Sequence, residues 1–374
     1  MSGPPPARPT YRVERARPED VRDVLCGLWD RNLQVDGGVA AKFEWLYRAA
    51  PHRPDDVFLL ATGAGATVGT AGVAIRAMQL GERDGTAGLL ADLAVDKDHR
   101  SVGPALALVR EVKAWALGHH ELAYGFPNKH AEGVFKRAGY QPLGTITRWA
   151  RVLRHAGFAG RIREVDLTRV PEQARAWIYR AVELPGVAAL AGTAVDLAQL
   201  ARRSPAAAVA ARHLRLTSAP APDPGVDALW ARARGEYGVI GHRTREVLAW
   251  RFPSGPTLTW VAAHARDGGE LRAYAAIERA GDTAHVKDLF GHQPDVLALL
   301  DLLPAWAYRT GAHALSMRYL GATWLRDALV ERGFKARQSD RLVAVGASDA
   351  LPADLRAKVL DVGAWHLTDF DEDT

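Results

Sequence analysis

The sequence is first bounded by what it lacks. It contains one cysteine, Cys26, among 374 residues, so an intrachain disulfide is excluded. It has no uninterrupted apolar run long enough to cross a membrane. Its 13 histidines show none of the spacings typical of a metal site. Residues 1–10 are proline-rich and lack the apolar centre of a signal peptide. We therefore expect a cytoplasmic protein with a disordered lead-in, no bound metal and no membrane insertion.

The composition and length of the chain are typical of a globular protein with more than one domain. The hydrophobic fraction of 48% and the charged fraction of 24% are those of a soluble globular protein. A length of 374 residues exceeds what one ordinary core requires, so we expect two domains. The net charge of +5 and the pI near 9.4 are compatible with a polyphosphate ligand or with RNA.

One stretch, 91–105, combines a strand, a turn and a helix start. Ala91 to Val95 is a short apolar run typical of a buried strand. Gly103 allows close approach of a ligand to the backbone, and Pro104 suits the first position of a helix. Because the first amides of a helix lack partners and lie at the positive end of its dipole, this turn predicts an anion site, most often for phosphate.

Two motifs in this region resemble those of a known family, the GNAT N-acyltransferases. The first resembles the R/Q-x-x-G-x-G/A pyrophosphate loop and comprises Leu93, Ala94 and Val95 followed by Arg100, Ser101, Val102, Gly103, Pro104 and Ala105. The second resembles the N-x-x-A-x-x-x-Y-x-x-x-G-F segment and comprises Asn128, Ala131, Phe135, Gly139 and Tyr140. The resemblance implies that acetyl-CoA or another acyl-CoA binds along these residues as co-substrate.

The chemistry that the resemblance implies is attack of an amine on a thioester. Asp92, in a largely apolar strand, is our first candidate for the base, with a purely structural hydrogen-bond acceptor as the alternative. A backbone amide on the strand of Val95 is the expected donor to the carbonyl oxygen. Asn128 is expected to touch the pantetheine arm or to order a water molecule.

The position of the expected proton donor to the leaving thiolate differs from the family pattern. The tyrosine that often has this role in GNAT enzymes is replaced by Phe135, which has no proton to give. We predict Tyr124 as the substitute, with Tyr140 and His130 as alternatives, or a thiolate that leaves unprotonated. Five tryptophans are interpreted as core residues rather than as an acceptor pocket: Trp45, Trp149, Trp230, Trp250 and Trp260.

The second half of the sequence repeats the first in the same order. The paired segments are Phe43 to Tyr47 with Leu248 to Phe252, Ala91 to Leu93 with Lys287 to Leu289, and Lys136 to Tyr140 with Val330 to Phe334. We predict an α/β (α+β) fold of two tandem GNAT-like lobes joined by a helical connector, each lobe a mixed, mostly antiparallel sheet flanked by helices. The predicted divisions are a lead-in (1–10), an N-terminal acyl-CoA domain (11–150), a helical connector and linker (151–235), a degenerate C-terminal lobe (236–350) and an acidic C-terminal tail (351–374).

The two lobes differ at the loop that binds phosphate. The segment His292 to Leu297 has no glycine and carries Asp295, which would repel a phosphate. We therefore predict a single cofactor site, in the N-terminal lobe, with the second lobe structural or forming one wall of the acceptor cleft.

Three functions are compatible with these features. The first is a CoA-dependent N-acyltransferase, most simply an acetyltransferase, that modifies a small amine or an amino sugar. The second is a Fem-like transferase that takes an aminoacyl group from tRNA, for which a basic stripe across both lobes is expected. The third is a non-catalytic protein that only binds acyl-CoA.

Overall fold

The structure, a computed structural model, describes residues 10–154 and 205–372. The first range contains β1 (Tyr11–Ala16), α1 (Arg22–Asn32), α2 (Val39–Phe43), β2 (Val57–Thr62), β3 (Thr67–Leu80), β4 (Arg83–Val95), α3 (Val102–His119), β5 (Leu122–Gly125), α4 (Glu132–Arg137) and β6 (Gln141–Val152). Helix α2 continues into a π-helical turn, Glu44–Arg48.

The second range repeats this order of strands and principal helices and has further elements before, within and after it. It contains α5 (Pro205–His213), β7 (Leu214–Ala219), α6 (Val226–Ala233), β8 (Val239–Gly241), α7 (Arg245–Arg251), β9 (Leu258–Ala265), β10 (Leu271–Ala280), β11 (Thr283–Gly291), α8 (Gln293–Arg309), β12 (Ala314–Gly321), α9 (Thr323–Glu331), β13 (Lys335–Ala347), α10 (Ala353–Leu360) and β14 (His366–Leu367). The fold is therefore the predicted pair of tandem α/β lobes, each built on a mostly antiparallel sheet.

Helices cover both faces of the sheet in each lobe. In α3 the buried residues Leu108, Val109, Val112 and Ala116 recur at helical spacing and pack on one face. Helices α1 and α2 cover the opposite face. Helices α8 and α6 have the corresponding places in the second lobe. Each sheet is thus buried on both sides, which explains the apolar character of its central strands. In the described part of the chain, no helix is both long and apolar enough to span a membrane.

The two lobes exchange their last strands. The sheet order is β1-β2-β3-β4-β5-β13-β6-β12-β11-β10-β9-β7, so β5 of the first lobe pairs with β13 and β12 of the second lobe pairs with β6. Strands β13 and β6 also pair with each other, antiparallel. The exchange joins both lobes into one continuous sheet and leaves neither lobe complete on its own.

A second symmetric contact joins the lobes through the repeated tryptophans. The rings of Trp45 and Trp250 are stacked, 4.8 Å apart and 7° from parallel. Trp45 Nε1 donates to the Trp250 carbonyl at 3.0 Å, and Trp250 Nε1 donates to the Trp45 carbonyl at 2.8 Å. This reciprocity is the pattern expected of two lobes related by an approximate twofold axis.

The divisions of the second half differ from those we predict. Strand β7 lies within the predicted helical connector (151–235), but it pairs with β9 as β1 pairs with β2, and so belongs to the second lobe. Strand β7 has only six residues and follows an alanine-rich stretch. Its alternation of apolar and polar residues is therefore too short to identify a strand from the sequence. The rest of the predicted connector, residues 155–204, lies outside the described residues. Of the predicted acidic tail (351–374), residues 353–360 form α10, and the buried residues 365–372 contact both lobes.

Candidate functional site

The turn between β4 and α3 has the features of an anion site. A single 3₁₀ turn, Lys97–His99, leads into the helix. Ser101 precedes the helix in extended conformation and makes no side-chain hydrogen bond to its first turn. A Cβ atom on Gly103 would meet nothing within 4 Å. Pro104 is at the third helical position rather than the predicted first, still within the turn whose amides lack helical partners. The loop therefore has both room and donors for a phosphate.

Arg100 braces this loop instead of pointing freely into solvent. Its Nε donates to the carbonyl of Val95 at 2.9 Å, and its guanidinium donates to Asn32 Oδ1 at 2.8 Å. Asn32 in turn donates to Asp96 at 2.7 Å, and Arg31 pairs with the same carboxylate. Burial tends to raise the pKa of Asp96, but the hydrogen bonds from Arg31 and Asn32 outweigh it and lower that pKa. The loop is thereby tied to α1.

Strands β4 and β5 separate beside this loop. Their parallel pairing ends at Leu90 and Gly125, where β5 stops while β4 continues to Val95. The part of β4 beyond its pairing with β5 still pairs with β3 on its other side, and it contains the predicted cofactor-contacting residues Leu93, Ala94 and Val95. We call the opening between residues 91–95 and the end of β5 the acyl cleft. The ring of Phe135 packs directly on Gly125. A Cβ atom at residue 125 would lie 2.8 Å from Phe135 Cε1, so only glycine leaves room for the ring.

The corresponding opening of the second lobe is filled by the protein itself. Pairing of β11 with β12 ends at Val286 and Met317. Beyond this point β14 pairs with β12, with Leu367 opposite Leu320. The ring of His366 forms a hydrogen bond with the carbonyl of Leu289 on β11, at 2.9 Å. We call residues 365–372, which contain β14, the C-terminal segment.

The start of α8, which corresponds to the phosphate loop, is also satisfied internally. The Gln293 amide donates to Glu236 Oε2 at 2.8 Å, and the other carboxylate oxygen of Glu236 pairs with the ring of His292. Asp295 lies in the same first turn. A carboxylate of the protein thus takes the place that a phosphate would have. Both contacts occupy space that a cofactor in the second lobe would need, and a single cofactor site in the N-terminal lobe stays a prediction.

Tyr124 lies at the edge of the acyl cleft. It is opposite Leu89 of β4 and is 1% exposed. Burial raises the pKa of its hydroxyl; nearby Arg76 opposes this rise and Asp371 adds to it. The hydroxyl therefore keeps its proton at neutral pH, as a proton donor must. Its nearest acceptor among the described residues is the Asp371 carbonyl, at 3.4 Å.

A cavity on the α1 face of the sheet opens onto Tyr124. Its lining includes Arg76 from β3, His242 from the loop after β8, Trp250 from α7 and Asp371 from the C-terminal segment. Both lobes therefore contribute to its walls. Burial lowers the pKa of His242, although Asp84 opposes this effect, so the imidazole is neutral at pH 7. We call this space the acceptor-side cavity.

Asp92 is buried in an ion pair and does not line this cavity. It lies in a β-bulge with a left-handed backbone (φ 55°), accepts from the Tyr47 hydroxyl at 2.9 Å and pairs with Lys42 Nζ at 2.8 Å. Its counterpart Asp288 likewise accepts from a tyrosine hydroxyl, that of Tyr274, at 2.7 Å. These contacts favour the structural alternative, and the base role of Asp92 stays a prediction.

The remaining predicted residues lie around α4. Asn128 is exposed, and its side-chain oxygen accepts from the amides of His130 and Ala131, both at 3.1 Å. It therefore shapes the turn before the helix, and a cofactor contact of Asn128 stays a prediction. Tyr140 is buried against Phe135, with ring centres 4.9 Å apart. Of the candidate proton donors, Tyr124 alone lines the acceptor-side cavity.

Sequence analysis did not predict that Arg76, His242 and Asp371 line this cavity. Arg76 has a local signal, since it is the only charged residue in the fourteen of β3. His242 and Asp371 have none, because they reach the cavity only through the packing of β8 and of the C-terminal segment on the first lobe. Trp250, which we interpret as core, both stacks on Trp45 and lines the cavity.

Comparisons with known proteins agree with this architecture. Residues 24–140 match the acetyltransferase (GNAT) family. No curated protein matches the chain. Among solved structures, a GCN5-related N-acetyltransferase from Anabaena variabilis is similar with a TM-score of 0.60 at 12% identity, covering 89% of this chain and 72% of that one.

Two further structures are similar over the same extent. One is a probable N-acyltransferase of unknown function from Enterococcus faecalis, with a TM-score of 0.56 at 10% identity, covering 89% of this chain and 72% of that chain. The other is a GCN5-related N-acetyltransferase from Kribbella flavida, with a TM-score of 0.51 at 13% identity, covering 91% and 72%. At these identities the likeness shows the fold alone, and it extends over both lobes.

Proposed function

Since residues 24–140 form a domain of the acetyltransferase (GNAT) family, which supports acyl transfer in general, we propose that the protein is a CoA-dependent N-acyltransferase. It transfers an acyl group, most simply acetyl, from acyl-CoA to a primary amine of a small molecule by direct attack. We place this reaction in the cytoplasm, as a chain with one cysteine favours.

The observation that carries the proposal is the separation of β4 from β5 next to an uncapped helix start. The acyl cleft begins at Leu90 and Gly125, and the open loop at Gly103 follows the same strand. A thioester in the cleft would have its diphosphate near the first-turn amides of Val102, Gly103 and Ala105, because the Ser101 amide already donates to the His99 carbonyl at 2.8 Å. Its reactive carbon would lie near Tyr124. Acyl-CoA supplies an electrophilic carbonyl. The protein supplies hydrogen-bond donors, holds the thioester in one orientation and shields it from water.

Each part of the site then has a defined duty. The first-turn amides of α3 hold the diphosphate, and Arg100 keeps the loop in place through Val95 and Asn32. Tyr124, protonated at neutral pH, gives a proton to the leaving thiolate. Asp92 shapes the bulge of β4 through its pairing with Lys42. The acceptor amine approaches through the acceptor-side cavity.

The two alternative functions make different demands on the same site. A tRNA-dependent transferase needs no pyrophosphate loop, whereas the loop here is open and braced. A protein that only binds acyl-CoA has no use for a second opening, yet the acceptor-side cavity reaches Tyr124 from the face opposite α3. Both features favour catalysis.

Calorimetry with acetyl-CoA, CoA and bulk tRNA tests the proposal. We expect acetyl-CoA and CoA to bind with one site per chain, and tRNA not to bind. Thiol release from acetyl-CoA in the presence of a panel of primary amines should then identify turnover. Binding of acetyl-CoA without release by any amine would favour the non-catalytic alternative, and binding of tRNA alone would favour the Fem-like one.

A further inference from the structure

The acceptor-side cavity contains a buried cation whose charge is not matched by a carboxylate. Arg76 is 5% exposed and lines the cavity. One of its terminal nitrogens donates to the Glu372 carbonyl at 3.3 Å, and its guanidinium lies over the Trp250 ring, 4.9 Å from the centroid. Its Nε has no hydrogen-bond partner within residues 10–154 and 205–372. Among the described residues, no carboxylate oxygen lies within 4 Å of Arg76.

Burying an unpaired charge is costly, so an arginine in this state requires an explanation. Arg243, which is fully buried nearby, shows the usual solution. It contacts the carboxylates of Asp288 at 3.3 Å and Asp371 at 2.9 Å. The contrast between these two buried arginines indicates that a carboxylate partner of Arg76 is not among the described residues.

The other ionisable groups of the cavity cannot supply that partner. The carboxylate of Asp371 is already held by Arg243 and by the Thr368 amide, which donates at 2.9 Å. The ring of His242 is neutral at pH 7 because burial lowers its pKa, and its Nε2 is hydrogen-bonded to Asp84 at 3.0 Å. Within the part of the chain that the structure describes, the inner part of the cavity, next to Tyr124, therefore presents the positive charge of Arg76 without a carboxylate partner.

We propose that the acceptor is an amine that also carries a carboxylate, an amino acid or a close analogue, and that Arg76 binds this carboxylate. This inference rests on the proposed function. A guanidinium matches a carboxylate with two parallel hydrogen bonds, and the free Nε of Arg76 is one of the donors such a pair uses. The cavity wall made by Trp250 holds the guanidinium plane in place.

The position of Arg76 beside Tyr124 fits an acceptor whose amine and carboxylate are close together. In the reaction the amine nitrogen bonds to the thioester carbonyl carbon and the carbon–sulfur bond breaks. The nitrogen loses one proton to a water molecule, the CoA thiolate takes one from Tyr124, and the Tyr124 oxygen then regains a proton from solvent. Arg76 takes no part in these transfers; it determines which amine reaches the cleft.

Steady-state kinetics with matched acceptors tests the proposal. The panel pairs amino acids with the corresponding amino-acid amides, which keep the amine and the shape but lose the charge. We expect the wild-type protein to favour the acids at least tenfold in kcat/KM. Arg76→Met should abolish this preference without changing KM for acetyl-CoA, and Arg76→Lys should retain part of it. Arg326→Gln, an exposed arginine on α9, is the matched control and should behave as wild type.

An equilibrium measurement keeps the proposal separate from turnover. N-acetyl amino acids, the expected products, should raise the melting temperature of the wild type, whereas their amides should not. Arg76→Met should lose the effect of the acids. Equal responses of wild type and Arg76→Met would overturn the carboxylate site even if the protein is an acyltransferase. Failure of acetyl-CoA to bind would instead overturn the proposed function.

Thermal stability provides a further discrimination. Removing an unpaired buried charge should leave the melting temperature of Arg76→Met unchanged or raise it, because methionine keeps the contact with Trp250. Arg243→Met should melt well below wild type, since it leaves two buried carboxylates unpaired. If Arg76→Met is destabilised to the same degree, the charge of Arg76 has a structural partner, and the proposal is wrong.

Discussion

Tyr124 is the residue on which the proposed chemistry depends most directly. We predict that Tyr124→Phe lowers kcat by about 10²-fold, at the low end of the range for proton-transfer catalysis because a CoA thiolate leaves readily. KM for acetyl-CoA should change little. Burial raises the pKa of the hydroxyl, so the wild-type rate should show no loss from Tyr124 ionisation up to roughly pH 10.

The comparison of kcat between Tyr124→Phe and wild type can also contradict this prediction. A Tyr124→Phe protein as fast as wild type would mean that the thiolate leaves unprotonated. Tyr140→Phe is the matched control, since its hydroxyl is buried away from the cavity and no partner is found for it among the described residues.

Arg100 is predicted to act on cofactor binding through the loop. Arg100→Ala removes the hydrogen bonds to the Val95 carbonyl and to Asn32. Since a hydrogen bond to a charged group contributes about 1.5 kcal/mol, we expect KM for acetyl-CoA to rise about tenfold with kcat nearly unchanged. Asn32→Ala should give a smaller rise in the same direction. A fall in kcat with an unchanged KM would contradict a positioning role.

Single residues also show where the sequence was informative. The repeated aspartates, Asp92 and Asp288, could be matched from sequence, and the structure shows both bound to a tyrosine hydroxyl. Their partners could not be predicted, because Tyr47 and Tyr274 come from a helix in one lobe and from a strand in the other. Both repeats therefore keep a buried aspartate as hydrogen-bond acceptor, whereas the tyrosine that donates to it comes from a different element in each lobe.

At the level of elements, the C-terminal segment is the least expected feature. It fills the second opening with β14 and brings Asp371 to the first, so one stretch of chain closes one site and lines another. Its sequence is acidic, which is typical of a solvated tail. The acids are nevertheless buried, because arginines of the second half of the chain pair with them: Arg318 and Arg341 pair with Glu372, and Arg243 pairs with Asp371.

His366 predicts how this segment responds to acid. Burial lowers its pKa to about 3, so the folded protein keeps the ring neutral while the unfolded chain binds a proton below about pH 6.5. The unfolded state then carries more protons, and the free energy of unfolding falls as the pH falls from 6.5 towards 3. We expect this single group to lower stability by about 2 kcal/mol between pH 7 and pH 5.

The measurement compares urea unfolding of wild type and His366→Gln at both pH values. Glutamine can still donate to the Leu289 carbonyl but does not titrate, so the variant should lose less stability on acidification. The difference between the two proteins isolates His366 from the other histidines. Parallel pH dependence of both would show that His366 is accessible to protons in the folded state.

For the whole molecule, the exchange of β6 and β13 predicts cooperative unfolding. Each lobe lacks a central strand unless the other is folded, because β5 pairs with β13 and β12 pairs with β6. We expect a single transition, with the same midpoint by tryptophan fluorescence and by circular dichroism. A fragment of residues 1–154 should not fold stably alone. Two separated transitions, or a stable fragment, would mean that the lobes are independent domains.

The sequence by itself determined several strands and helices of the first lobe and the loop before α3, because those depend on local spacing. The apolar run before Arg100, the glycine at 103 and the periodicity of α3 act within a few residues of one another. It also revealed the duplication, since repeated segments keep their order along the chain.

Only the tertiary structure decided which strands belong to which lobe and what surrounds Tyr124. The contacts involved join residues more than a hundred positions apart. They are the pairing of the exchanged strands, the stacking of Trp45 on Trp250 and the hydrogen bond of Arg76 to Glu372. Strand pairing and charge burial depend on what lies opposite in space, and no local pattern encodes that neighbour.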